Sequence, residues 1–316
     1  MKSQQTSRKC VLQAISLGLM NLTFSSLLIA CGGGGGGAGG STPAPAATPA
    51  NQPPVAVAKV SGEAVLNANT TFDTTGTTDP DGSLASRSWA YGDGQTGTAD
   101  SHTYTSAGTF TAAYTVTDNA GASKTASVSV TVAKCSVAGT TAATLSPFTT
   151  LCMQTSRGEL VLEVYPSKAP VTAANFLRYV DDGFYSGLIF HRVVADFVVQ
   201  AGGYKPGLVA KAATYAPIVL ESNNTLKNWR YTVAMARTGT PDSATTQFYV
   251  NLKDNPGLDY SASVAGANGY AVFGQVISGT ALIDALGTVP TGTVASAGLS
   301  DVPVTDILIQ GVVRLP

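Results

Sequence analysis

The chain has 316 residues, enough for two ordinary domains with separate cores. Its net charge is −1 and only 12% of its residues are charged, so it carries no basic footprint for nucleic acid. Two histidines, His102 and His191, exclude a His-rich metal site and leave a Ser-His-Asp triad nothing else to use.

Lys2, Arg8 and Lys9 make a basic start, and an apolar stretch follows from Val11 to Ala30. Gln13, Asn21 and the Ser25-Ser26 pair make that stretch too polar for a comfortable membrane span, so residues 1–30 read as a signal peptide. It ends in Leu28-Ile29-Ala30-Cys31, which resembles the lipobox of bacterial lipoproteins. The resemblance implies that Cys31 becomes the diacylated N-terminus. Residues 31–54, opened by six glycines, cannot bury anything and read as a tether spanning about 25–30 Å on average. With Gly32 after the cysteine, the resemblance implies a lipid anchor in the outer membrane, facing the periplasm.

In such an oxidising compartment Cys135 and Cys152 are expected to form a disulfide, stabilising by about 3 kcal/mol. Residues 55–134 alternate short β-rich runs with turn clusters, the pattern of an all-β sandwich. The blocks Trp89-Ala90-Tyr91-Gly92-Asp93-Gly94, His102-Thr103-Tyr104 and Tyr114-Thr115-Val116-Thr117-Asp118 resemble the PKD domain, an immunoglobulin-like sandwich. Trp89 is placed to be its central core residue, Gly92 and Gly94 to allow a tight turn, and Asp93 to cap that turn. His102 is expected to pack or cap a turn. Asp79-Pro80-Asp81-Gly82 alternates carboxylates as a calcium loop does, but the rest of that pattern is missing and it reads as turn chemistry. No metal site is assigned, and the domain reads as a spacer or contact module.

Residues 135–316 form the second unit, with a short N-terminal extension. Gly158–Val164 is an alternating strand. Pro170 opens a helix with Ala173, Phe176, Leu177 and Val180 at helical spacing, and Gly183 ends it. A second short helix falls around Ala281–Leu286, and a last strand, Ile307–Ile309, is expected to close the sheet onto the first.

Phe190-His191-Arg192-Val193-Val194, Phe197, Gln200-Ala201-Gly202-Gly203, Val233–Arg237, Ser243–Val250, Leu258-Asp259 and Gly269–Gly274 then follow in order. Together they resemble the cyclophilin-type peptidyl-prolyl cis–trans isomerases. The resemblance implies a mainly β fold, a closed antiparallel barrel capped by two helices, and proline-containing polypeptides as substrates.

Rotation about an X–Pro bond is opposed only by amide resonance, a barrier of ~18–20 kcal/mol. Reaching ordinary turnover needs removal of about 4–7 kcal/mol, and no nucleophile or cofactor. The resemblance gives Arg192 the role of cationic donor to the prolyl amide and Gln200 that of orienting it. It places Phe197, Val198, Tyr249 and Leu258 around the proline, with Gln247 at the mouth. Ala236 and Arg237 would meet the residue before proline through their backbone, and the Tyr270 hydroxyl a substrate carbonyl. Strand alternation puts Phe190 and Arg192 on one face and His191 on the other, so His191 is expected to be structural. Ala195-Asp196 is a point where the strand bends.

Three positions depart from the family: Val198 where Met is usual, Tyr249 where Phe is usual, and Gly257 where Trp or Phe usually precedes the Leu-Asp pair. They raise the alternative of a catalytically weak peptide-binding or chaperone module, and imply weak cyclosporin binding. With no heptads and no docking helix, a monomer is expected.

Overall fold

The structure is a computed structural model describing residues 48–264 and 268–316. The expected signal peptide, the expected lipidation at Cys31 and the part of the expected tether before residue 48 lie outside the described residues. Among the described residues no helix is long and apolar enough to cross a membrane.

The first module contains β1 (Lys59–Ser61), β2 (Ala64–Val65), β3 (Asn69–Asp73), β4 (Leu84–Ala90), β5 (Thr96–Gly97), β6 (Ser101–Thr103), β7 (Gly108–Asp118) and β8 (Ser123–Ala133). One sheet runs β1-β3-β6 and the other β2-β8-β7-β4-β5. Along β7 every second residue from Ala112 to Asp118 is buried, the period a half-buried strand requires. Between the sheets Trp89 packs on Phe72 and Tyr114, with ring centroids 4.4 and 4.7 Å away. The indole N–H donates to Asp100 Oδ1 at 3.0 Å, satisfying its one polar atom. Gly92 has φ 91°, and a Cβ there would lie 2.5 Å from the Thr111 carbonyl oxygen, so only glycine fits this turn. His102 stacks on Tyr91 at 4.1 Å, and its Nε2 lies 2.7 Å from Asp93 Oδ2. The Asp79–Gly82 stretch is a bend, in which Asp81 accepts the Gln52 amide at 2.9 Å.

The second module begins with α1 (Val137–Leu145), β9 (Thr149–Thr155), β10 (Gly158–Val164) and α2 (Pro170–Asp181). There follow β11 (Phe190–Val194), β12 (Val198–Ala201), β13 (Tyr204–Lys205), β14 (Val209–Ala210), β15 (Thr232–Met235), β16 (Phe248–Asn251) and β17 (Val272–Ser278). It ends with α3 (Thr280–Leu286), β18 (Thr291–Val294), β19 (Leu299–Pro303) and β20 (Ile309–Arg314). Eight strands make one antiparallel sheet in the order β11-β12-β16-β15-β17-β10-β9-β20.

The expected closed barrel is met only in part. The edge strands β11 and β20 share no ladder, and the edges meet through one isolated bridge, Ile189 to Leu308. Flanking it, Phe190 N–H donates to Ile307 O at 2.9 Å and Ile309 N–H to Leu188 O at 2.7 Å. The terminal segment therefore reaches β11 rather than the Gly158–Val164 strand. Its own strand, β20, pairs with β9, which sequence periodicity misses because all of Thr150–Thr155 is buried and no alternation is visible.

Inside the curled sheet α2 supplies Phe176, Leu177, Tyr179 and Val180, and α3 supplies Ile283 and Leu286. Gly183, at φ 64°, follows α2 and donates its amide to Val180 O. A third helix, α1, joins the two expected ones. Its Ala- and Thr-rich sequence has no apolar period, and external partners hold it. Ser136 caps it by accepting the Gly139 amide at 3.0 Å, and Glu159 accepts from both Ser136 N–H and Ser136 Oγ. A disulfide joins Cys135 to Cys152 of β9. Together they cover Val161, which explains why both faces of β10 are buried.

Candidate active site

A bulge positions the central cation. Across β11 and β12, Phe190 faces Ala201 while Arg192 faces Gln200, and the register shifts between those pairs. The predicted sharing of one face by Phe190 and Arg192 is thereby overturned: Phe190 lies in the core beside Phe248, and Arg192 lines an open hollow. His191 is buried against Tyr204 at 4.7 Å. Desolvation, aided by the Arg192 charge, lowers its pKa to about 4, so it is a neutral structural residue at pH 7. Asp196, at φ 53°, turns the chain where the bend is expected, and Phe197 N–H closes the turn on Val194 O.

The register then sets a row across the outer face. Arg192 pairs with Gln200, Gln200 with Tyr249, and Tyr249 with Ala234. Paired residues of neighbouring strands project to the same side, so three separated sequence blocks converge. The neighbours Phe248 and Val250 point inward to the main core.

The hollow has a volume of about 190 Å³ and is lined by Arg192, Phe197, Val198, Gln200, Ala236, Arg237, Tyr249, Leu258 and Tyr270. Gln247, the remaining predicted site residue, lies in an adjoining hollow of about 200 Å³ that shares Gln200, Ala236 and Arg237 with the first. The floor is apolar, with Val198, Ala234, Tyr249 and Val272 buried beneath Phe197, Leu226, Leu258 and Tyr270. A separate, larger hollow of about 330 Å³, walled by Phe148, Tyr165, Leu226, Trp229 and Val272, holds none of the predicted site residues. Chemistry rather than size assigns the site.

Several partners differ from expectation. Gln200 Nε2 donates to Gln247 Oε1 at 2.9 Å, so its side chain is engaged with another glutamine rather than with the Arg192 guanidinium. The acid nearest Arg192 is Asp301, whose Oδ2 lies 3.7 Å from Nε. Sequence reading missed Asp301, which comes from the β18–β19 hairpin and carries no local signal. The amide of Ala236 already donates to Gln247 O, so it is not open to a substrate. Arg237 is fixed: Nε and Nη2 donate to Gly269 O, Nη1 donates to Thr238 O, and Cζ lies 4.6 Å above the Tyr270 ring. The Tyr249 hydroxyl donates to Asn228, and burial raises its pKa well above the ordinary phenol value.

An apolar notch can seat a ring, and a guanidinium at its rim can donate charge-assisted hydrogen bonds to the neighbouring amide. His191 is buried and lines neither hollow.

Residues 150–313 match the family model described as cyclophilin type peptidyl-prolyl cis-trans isomerase/CLD, and residues 51–132 match a PKD domain model. Peptidyl-prolyl cis-trans isomerase cyp18 of Streptomyces antibioticus is 48% identical over 161 residues, covering 51% of this chain and 95% of the relative. Peptidyl-prolyl cis-trans isomerase B of Escherichia coli K12 is 45% identical over 158 residues, with 50% and 94% covered. A peptidyl-prolyl cis-trans isomerase of Acinetobacter baylyi is 49% identical over 141 residues, with 45% and 73% covered.

Proposed function

The chain belongs to the cyclophilin-type peptidyl-prolyl cis–trans isomerase family, with a PKD domain ahead of the isomerase domain, and we propose that it turns X–Pro bonds of envelope proteins by non-covalent catalysis through Arg192. What supports this reading is the placement of Arg192 in a notch shared with Phe197, Val198, Tyr249 and Leu258. The proline ring seats on that apolar floor, and the guanidinium donates to the prolyl nitrogen as the amide twists and its lone pair localises. A hydrogen bond from a charged group, made to the twisted amide and not to the planar one, contributes about 1.5–3 kcal/mol of the ~4–7 kcal/mol required. Burial of the ring holds both states alike and lowers KM. Gln247 and the Arg237 backbone meet the residue before proline, and the Tyr270 hydroxyl a substrate carbonyl. Gln200 holds Gln247 in place for that contact.

The same chain acts as a monomer at the membrane. The basic start, apolar run and Leu28-Ile29-Ala30-Cys31 support lipidation of Cys31, and a Cys135–Cys152 disulfide suits an oxidising compartment. The PKD domain is then a spacer carrying the isomerase away from the outer membrane into the periplasm. Fatty-acid labelling that is lost in Cys31→Ala is the expected result, and labelling that persists refutes the anchor.

A proline-peptide isomerisation assay on the chain lacking its signal peptide tests the chemistry. Arg192→Ala is expected to lower kcat/KM at least about tenfold with an unchanged circular dichroism spectrum, the loss of one charge-assisted bond. Full activity in that variant would refute the role of Arg192.

A further inference from the structure

Among the described residues Arg192 has one ionic partner, and it does not come from the strands that build the site. Arg192 Nε lies 3.7 Å from Asp301 Oδ2, with the two side chains 34% and 39% exposed. Gln200, its cross-strand partner, is engaged with Gln247, and Arg237 is held separately by Gly269 and Thr238. Two guanidiniums thus share one hollow, and Asp301 is the acid beside the one with fewer ties.

The way the backbone presents Asp301 is specific. In the β18–β19 hairpin Gly292 faces Val302 and Val294 faces Leu299, so Ser300 and Asp301 sit opposite Thr293 alone. Asp301 has φ 58°, a left-handed conformation that aspartate and asparagine tolerate better than most side chains. A bulge of this kind re-aims a side chain, and the buried Val302 that follows anchors it.

We propose that Asp301 is a positioning residue for catalysis: it holds the Nε edge of the Arg192 guanidinium so that the terminal nitrogens face the proline notch. The proposal rests on the reading that Arg192 is the acting group. By holding the guanidinium it lowers the entropy lost when the side chain meets the twisted imide, and it offsets the repulsion from Arg237.

Asp301→Asn tests this, since asparagine keeps the left-handed backbone and removes only the charge. In the proline-peptide assay kcat/KM is expected to fall about two- to fivefold, the range of a partly exposed ion pair. The Arg192 Nε–H resonance in a nitrogen-15 spectrum is expected to shift in the variant. In the unsubstituted chain, raising the ionic strength should move that resonance the same way and lower activity, while Asp301→Asn stays flat to salt. Unchanged activity, or lower activity with an unmoved resonance, overturns the proposal. If Asp301→Asn fails to fold, the salt titration of the unsubstituted chain decides, and an insensitive resonance overturns it. Arg192→Ala, assayed in parallel, separates the two failures. Full activity there sinks the reading of Arg192 itself, whereas its loss beside a silent Asp301→Asn sinks only the positioning role.

Discussion

Tyr249 donates its hydroxyl to Oδ1 of the buried Asn228 at 2.8 Å, beneath the floor of the hollow that Arg192 lines. The family more often has Phe at the position of Tyr249, and this bond is how the chain accommodates the extra oxygen. Asn228 in turn donates to Leu258 O and Asp259 Oδ1 at 3.0 Å each, so the tyrosine is tied to the loop that carries Leu258. Tyr249→Phe would leave Asn228 Oδ1 with only the long 3.4 Å contact from Asn251 Nδ2. The expected cost is about 1–2 kcal/mol of stability, read as a lower urea midpoint at unchanged slope. Because the apolar face of the ring is kept, kcat/KM should change less than about twofold. A stability-neutral Tyr249→Phe would show that the hydroxyl bond contributes nothing.

His191 gives the fold a pH dependence. Burial lowers its pKa from 6.5 to about 4, so between those values the unfolded chain binds the proton and the folded chain does not. Stability is therefore full above about pH 6.5, declines as pH falls, and has lost this contribution near pH 4. At 1.36 kcal/mol per unit the loss is on the order of 3 kcal/mol. Urea titrations at stepped pH check it, with His191→Asn expected to lose the extra slope between pH 6.5 and 4. Equal slopes in the two chains would show that His191 takes up its proton as readily folded as unfolded.

The Cys135–Cys152 disulfide spans a sequence separation of 17 and ties the segment leading into α1 to β9. A loop of this length constrains the unfolded chain by about 3 kcal/mol. Both sulfurs are buried, so reductant alone should act slowly and reductant with denaturant quickly. A paired Cys135→Ser and Cys152→Ser chain is expected to unfold at lower urea while keeping isomerase activity, since the bridge does not line the notch. Two titratable thiols in the purified protein would refute the bridge.

How far the sequence reveals this molecule depends on the range of the forces involved. Trp89 and the Gly92-Asp93-Gly94 turn are legible because core volume and positive φ restrict the residue type locally. The convergence of Arg192, Tyr249, Leu258 and Tyr270 is legible through resemblance rather than through periodicity. Alternation failed at Phe190 and Arg192 because a bulge inserts one residue, and no local residue type announces a bulge. Helix α1 stayed hidden because Glu159 and a disulfide hold it, both supplied by other strands. Asp301 stayed hidden for the same reason: its pairing with Arg192 is tertiary, set by how the β18–β19 hairpin lies across β11.

Gly257 marks the place where the notch can be rebuilt. It lies in the short turn Pro256–Leu258, its φ is not in the left-handed range, and a Cβ built on it meets no atom within 4 Å. A side chain can therefore start here without backbone strain and with open space at its Cβ. The resemblance places an aromatic ring here in most relatives, beside the Leu258 that lines the hollow. Burying part of a ring against a bound ligand contributes about 1–3 kcal/mol, or roughly fivefold to a hundredfold in affinity. Cyclosporin is expected to bind the natural chain weakly and Gly257→Trp more tightly by a factor in that range, measured by inhibition of isomerisation. Peptide turnover should rise far less, because a short substrate does not reach the added ring. Sub-micromolar inhibition of the natural chain would show that the missing aromatic never limited the notch. No gain in Gly257→Trp would place the limit elsewhere, with Val198 the next residue to exchange.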